Sequence, residues 1–199
     1  MLNLREFQKR PERLADFLPW AALVAPGVVL NKDGSFQRTI RYRGPDLESA
    51  EPGELVSFCA RVNNILRRFR SGWALFFEAD RIPAGAYPEG GWRDPAAWLV
   101  DEERRGRFED GAHFESVFYL TFAYLPPGDR ASKAESLFFE RTGREEAPSH
   151  RDQLELFLTE TDRAIGLFAS LTPECEVLGD DETLAFLHAC ISTKRHKVT

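Results

Sequence analysis

The chain has 199 residues, enough to hide roughly 70% of its unfolded surface in a core, and its 43% hydrophobic and 29% charged residues exclude a disordered tail. A formal net charge of −6 excludes the overall basic footprint of an obvious nucleic-acid binder. Cys59, Cys175 and Cys190 are odd in number and include no C-x-x-C pair, so they suggest neither a disulfide framework nor a zinc site and fit a reducing cytoplasm.

The start, Met1-Leu2-Asn3-Leu4-Arg5-Glu6-Phe7, reaches charge at once and lacks the apolar run of a cleaved signal. No later stretch approaches the ~20 apolar residues of a membrane span. Val28-Val29-Leu30 and residues 36–42 flank Asn31-Lys32-Asp33-Gly34, a short polar link with glycine near its end, which predicts a hairpin. Over residues 54–70, Leu55, Phe58, Val62, Ile65, Leu66 and Phe69 recur at helical spacing, with Pro52 as a first-turn proline and Gly72 as the stop.

Trp73, Leu75, Phe77 and Ala79 then alternate with Ala74, Phe76, Glu78 and Asp80. The same alternation sets Phe114, Phe118, Leu120, Phe122 and Tyr124 against Glu115, Val117, Tyr119 and Thr121. Both predict strands with one well-buried face. Between them lies an insertion at about residues 83–112: a Gly/Pro-rich, Trp-bearing loop over 83–95 and a short helix over 95–108. Its charge run Asp101-Glu102-Glu103-Arg104-Arg105 reads as a solvated helix face.

Pro126-Pro127-Gly128 breaks the chain, and a second long helix carries Leu154, Phe157, Leu158, Ile165 and Phe168 on one side. Cys175-Glu176-Val177-Leu178 suits a short strand. Asp180 or Asp181 can cap a last helix with Leu184, Leu187, His188 and Ile191 on its face. The end, Thr193-Lys194-Arg195-His196-Lys197-Val198-Thr199, follows with no closing turn, as expected of a piece of a longer protein.

From Phe36 the order is strand, helix, strand, strand, helix, strand, which predicts an α+β, ferredoxin-like (split βαβ) fold with an antiparallel-dominated sheet. One N-terminal hairpin strand, the insertion between the second and third core strands, and a C-terminal helix decorate it. Residues 1–199 are expected to form one domain. Both long helices need a sheet face for their apolar stripes, and one face of one sheet can serve both.

Local chemical signatures are missing. The sequence contains no Gly-Lys pair and so no G-x-x-x-x-G-K-[ST] phosphate loop, and no G-x-G-x-x-G, G-x-S-x-G or H-E-x-x-H. His113, His150, His188 and His196 are too far apart to pair on a metal and read as structural, as Cys59, Cys175 and Cys190 read as small buried hydrophobes. Asp180-Asp181-Glu182 is explained by a helix start. No catalytic, cofactor or metal site is expected, which leaves the aromatics of the insertion, Tyr87, Trp92 and Trp98, as a partner surface unless they pack the insertion onto the domain.

A lineage does show. Gly27-Val28-Val29-Leu30-Asn31-Lys32-Asp33-Gly34-Ser35-Phe36 and Arg41-Tyr42-Arg43-Gly44-Pro45-Asp46-Leu47 resemble the N-terminal region of the CagE/TrbE/VirB family, the conjugal-transfer ATPases of type IV secretion systems. Ser71-Gly72-Trp73-Ala74-Leu75-Phe76, Leu99-Val100-Asp101-Glu102-Glu103-Arg104-Arg105, Gly111-Ala112-His113-Phe114-Glu115-Ser116, Thr121-Phe122-Ala123-Tyr124-Leu125-Pro126-Pro127 and Phe186-Leu187-His188 continue the likeness in the family's order.

The resemblance implies an N-terminal assembly or docking domain, not catalytic by itself, with ATP and Mg belonging to a motor domain C-terminal to this region. It places the domain in the cytoplasm at the inner membrane. The partners implied are other inner-membrane secretion components and the protein's own motor domain, with self-association as a further option. The competing reading is a single-stranded nucleic-acid binder that stacks bases on an exposed aromatic sheet face. Against it, Phe118-Tyr119-Leu120-Thr121-Phe122 has aromatics but no neighbouring basic residues.

Overall fold

A computed structural model describes residues 13–110, 113–127 and 150–192. The start at Met1 to Phe7, Gly111 and Ala112, the break at Gly128 and the basic end with His196 lie outside the described residues.

In chain order the elements are α1 (Leu14–Phe17), β1 (Trp20–Ala25), β2 (Val28–Asn31), β3 (Phe36–Arg43), α2 (Pro52–Leu66), β4 (Trp73–Pro83), α3 (Pro95–Glu109), β5 (Phe114–Tyr124), α4 (His150–Ala169), β6 (Glu174–Val177) and α5 (Asp180–Ile191). β3 is the centre of the sheet. Along one side it pairs with β5 from Phe36↔Tyr124 to Tyr42↔Phe118. Its other side is shared: β2 takes the first half, through Leu30↔Phe36, and β6 the second, through Ile40↔Val177. β4 pairs with β5 over its whole length, and β1 flanks β2.

All these pairings are antiparallel, and the order β6, β3, β5, β4 is that of the predicted split βαβ unit, with β5 between the mutually parallel β3 and β4. The hairpin of β2 and β3 stands where its polar link predicts it. A further strand, β1, and the short α1 are additions that no sequence pattern announces. The β1–β2 turn depends on Gly27, whose φ of 65° lies in the left-handed region and whose absent Cβ would stand 2.2 Å from the Leu178 carbonyl oxygen.

The period of two sorts the side chains. On one face Phe36, Ile40, Leu120, Phe122 and Tyr124 meet Ile65 of α2 and Phe157, Ala164 and Phe168 of α4. Each leucine, isoleucine or phenylalanine among them contributes about 1.5–3 kcal/mol through burial. Trp73 stacks on Tyr124 and on Phe157, at 4.7 and 5.6 Å between ring centres. Arg38 shares this face and anchors α4, donating to Thr161 Oγ1 at 3.1 Å and Asp162 Oδ1 at 2.6 Å. On the other face α5 covers β1, β2, β3 and part of β5, through Phe186 and Leu187 against Val29, Trp20, Leu23 and Tyr119. Beneath it the hydroxyls of Thr39 and Thr121 bond each other at 2.9 Å.

Several expectations are corrected. α2 ends at Leu66 and not near Arg70, its last turns being looser bonds from Arg68 to Ile65 and from Phe69 to Leu66. Cys59 is exposed, because it sits one residue past Phe58 and so about 100° off the inward stripe, and Cys190 is exposed as well; Cys175 is half-buried. α5 buries Thr183, Phe186 and Leu187, leaving Leu184 and Ile191 exposed, since its packing on Tyr119 turns the helix by one position. Asp180 does not cap α5: Gly179 is the N-cap residue, its amide donates to Glu182, and Asp180 accepts from the Gly27 amide at 2.7 Å. Of the four β4 residues expected on the buried face, Trp73 and Leu75 are half-buried, while Phe77 is 53% exposed and Ala79 exposed, because Phe77 borders a cleft left open between the helices and the sheet.

Candidate functional site

The insertion forms an arm at the far end of the β4–β5 hairpin. β4 and β5 pair down to Pro83↔Phe114, and a bond from the Ala84 amide to the His113 carbonyl closes the base at 3.0 Å. Asp94 then accepts from the Ala96 amide at 3.3 Å, and Pro95 supplies the first helical position, where no amide is needed. α3 runs from there for 15 residues.

The helix is held by its own loop. Ala97, Asp101, Arg105 and Phe108, at spacings of four, four and three, form its half-buried stripe. Tyr87 donates its hydroxyl to Asp101 Oδ1 at 2.7 Å, and the Trp92 indole donates to the same carboxylate. These two bonds, Tyr87 first, hold the Asp101 carboxyl below its ordinary range. The bond to Asp101 in turn raises the Tyr87 hydroxyl. Phe108 meets the Tyr87 ring edge-on at 5.5 Å and stacks on His113 at 4.9 Å, while the Arg105 guanidinium lies over Tyr87. Gly90 completes the lock, since a Cβ there would stand 2.8 Å from the Trp92 indole nitrogen.

The charge run is therefore not uniformly solvated. Glu102, Glu103 and Arg104 face water, but Asp101 and Arg105 turn inward, because the aromatic loop offers partners for both. Tyr87 is half-buried as a strut of the arm, whereas Trp92 and Trp98 are each 53% exposed. Leu99 and Val100 next to Trp98 are 64% and 52% exposed. Three consecutive residues sweep about 200° of a helix, so the outer surface of the first turns of α3 is apolar in an otherwise charged helix. Composition draws attention to the tryptophans; Leu99 and Val100 escape sequence reasoning because a helix with only four inward side chains gives no amphipathic signal.

Two clefts lie near the base of the arm. A polar one of about 580 Å³ is lined by Arg41, Arg43, Glu115, Glu174 and Glu176. Its arginines are already matched, Arg41 with Glu176 and Arg43 with Glu174. An apolar one of about 260 Å³ runs between α2 and the sheet, lined by Tyr42, Phe58, Val62, Phe77, Phe118 and Phe168. Among the described residues no three His, Cys, Asp or Glu side chains come together to hold a metal, and no helix is long and apolar enough to cross a membrane.

Comparison with known proteins identifies the lineage. The family described as "Type IV secretion system ATPase VirB4/TrbE, N-terminal domain" matches residues 27–132, from the Gly27 turn through β5. The chain belongs to this family. It is 31% identical over its whole length to conjugal transfer protein TrbE of Rhizobium radiobacter, of which it spans 26%. It is 35% identical to a probable conjugal transfer protein TrbE fragment of Sinorhizobium fredii, over 69% of this chain and 95% of that protein. The type IV secretion system protein virB4 of Brucella suis is 26% identical over 66% of this chain, which covers 16% of that relative. This VirB4/TrbE N-terminal domain thus corresponds to about a quarter of the length of the TrbE protein that it matches throughout.

Proposed function

We propose that the chain is an assembly and docking domain of a type IV secretion ATPase, non-catalytic by itself, that contacts other inner-membrane components of the secretion channel and its own motor domain. The observation that carries this reading is the exposed apolar surface of the arm, Trp98-Leu99-Val100 together with Trp92, on an element held by Tyr87, Asp101 and Phe108 that makes no extensive contact with another element among the described residues. Exposed aromatic side chains on a preorganised element cost little entropy to engage and serve as interface anchors. Self-association through the same arm is the neighbouring form of this proposal. ATP and Mg would act in the motor, and the domain would sit on the cytoplasmic face of the inner membrane.

The nucleic-acid reading loses support from the sheet itself. The part of the sheet left open beside α5 offers Phe76 for stacking, but Glu78 and Asp80 follow on the same face and Glu115 stands across from Ile82. Carboxylates there repel phosphates and release no counterions. The test is co-purification of the chain with the cognate secretion components from solubilised inner membranes. Trp98→Ala is expected to reduce capture at least tenfold with the melting temperature unchanged; equal capture by the variant would remove the arm from the proposal.

A further inference from the structure

β4 is an edge strand of 11 residues, well beyond the usual five or six. Among the described residues nothing pairs with its outer side. Edge strands are ordinarily kept short or covered, and this one carries Phe76 and Phe77, 60% and 53% exposed on opposite faces. Phe77 also walls the apolar cleft between α2 and the sheet. An unpaired backbone edge and an adjoining apolar cleft are together the two halves of a strand-addition site, where main-chain bonds give affinity and the cleft selects alternate side chains.

We propose that the outer edge of β4 receives an extended segment of a partner protein in which apolar and basic residues alternate. Period two assigns the two sets. On the face of Leu75, Phe77 and Ala79 the incoming side chains meet apolar surface and, at Phe77, the cleft; on the other face they meet Glu78, Asp80 and, one strand further in, Glu115. The same acids argue against a second copy of this chain. The register that pairs all of β4 with its copy sets Glu78 opposite Glu78, and a shift of the pairing centre to Ala79 sets Glu78 opposite Asp80. Like charges directly opposite are destabilising. The site is distinct from the arm and does not depend on it.

A fluorescent ten-residue peptide of alternating lysine and valine, titrated into the 199-residue chain, tests the proposal by anisotropy. In an added strand all amides of one alternating set face β4 and all of the other set face water. Saturable binding is therefore expected to be lost when one set is N-methylated and kept when the other is, to fall at least tenfold in Phe77→Ala and in the glutamate–valine peptide, and to persist in Trp98→Ala. Equal binding of both methylated peptides would reduce the effect to charge attraction and overturn the proposal. So would absence of binding, or a concentration-dependent dimer that Phe77→Ala dissolves, which would give the edge to a second copy.

Discussion

The two ends of β5 show two ways of using one strand. Toward Tyr124, its side chains Leu120, Phe122 and Tyr124 are buried under α2 and α4 and ringed by Phe36, Trp73 and Phe157. Toward Phe114 the same alternation continues, yet Phe114 is 49% exposed and its neighbours lead into an arm that, among the described residues, packs chiefly on itself. The difference lies in what covers the strand, not in the strand. Two helices of 15 and 20 residues meet the sheet where β2 and β6 widen it; beyond them, among the described residues, no second layer covers the β4–β5 ribbon. Stability should therefore reside at one end and recognition at the other, a division that substitutions can break.

The largest effect should come from Phe157→Ala. This ring is fully buried and touches both Phe36 and Trp73. Its removal should lower unfolding free energy by about 3–5 kcal/mol, read by urea denaturation. Gly27→Ala should follow with about 1–3 kcal/mol, since it forces a left-handed φ on alanine and drives a methyl into the Leu178 carbonyl that the β1–β2 turn approaches. At the other end of the molecule Trp98→Ala should change stability by less than about 0.5 kcal/mol, while impairing capture of secretion components. A loss of several kcal/mol there would merge the two regions and end the division.

How far this division is legible in the sequence follows from its physics. Alternation and helical spacing reveal β3, α2, β4, β5 and α4, because each carries one continuous apolar face, and their order suffices for the sheet topology. β1 escapes because Trp20-Ala21-Ala22-Leu23-Val24-Ala25 has no polar alternation to mark a strand. The true face of α5 escapes because Leu184, Leu187 and Ile191 form as good an apolar row as the one that Tyr119 selects. Asp180 reads as a local cap because the alternative, a bond to Gly27, joins positions 153 apart in sequence. In the arm the tryptophans are visible by type, whereas the roles of Asp101 and Arg105 are hidden inside a run of charges whose spacing resembles any solvated helix. Nor can periodicity tell that Phe77 borders a cleft that the helices leave open, since coverage is a property of the whole sheet.

The smallest effect concerns the lock that makes the arm a rigid element. Asp101 accepts from both Tyr87 and Trp92, and these bonds place its carboxyl below the ordinary value of 3.8. A carboxyl depressed in the folded state stabilises the lock fully above that ordinary value and loses this contribution as pH falls through the folded one. The arm should thus be closed at about pH 5 and above and should loosen only below pH 3.8. With 5-fluorotryptophan incorporated, the fluorine resonance of Trp92 should stay constant down to that limit and then move toward its free position, while Trp73, packed in the core, stays put. Asp101→Asn should abolish the step, because a carboxamide does not titrate, and should leave the indole bond in place through its own carbonyl oxygen. A Trp92 resonance that titrates above pH 3.8, or one that ignores the Asp101→Asn change, would show that the loop and not the carboxylate holds the arm.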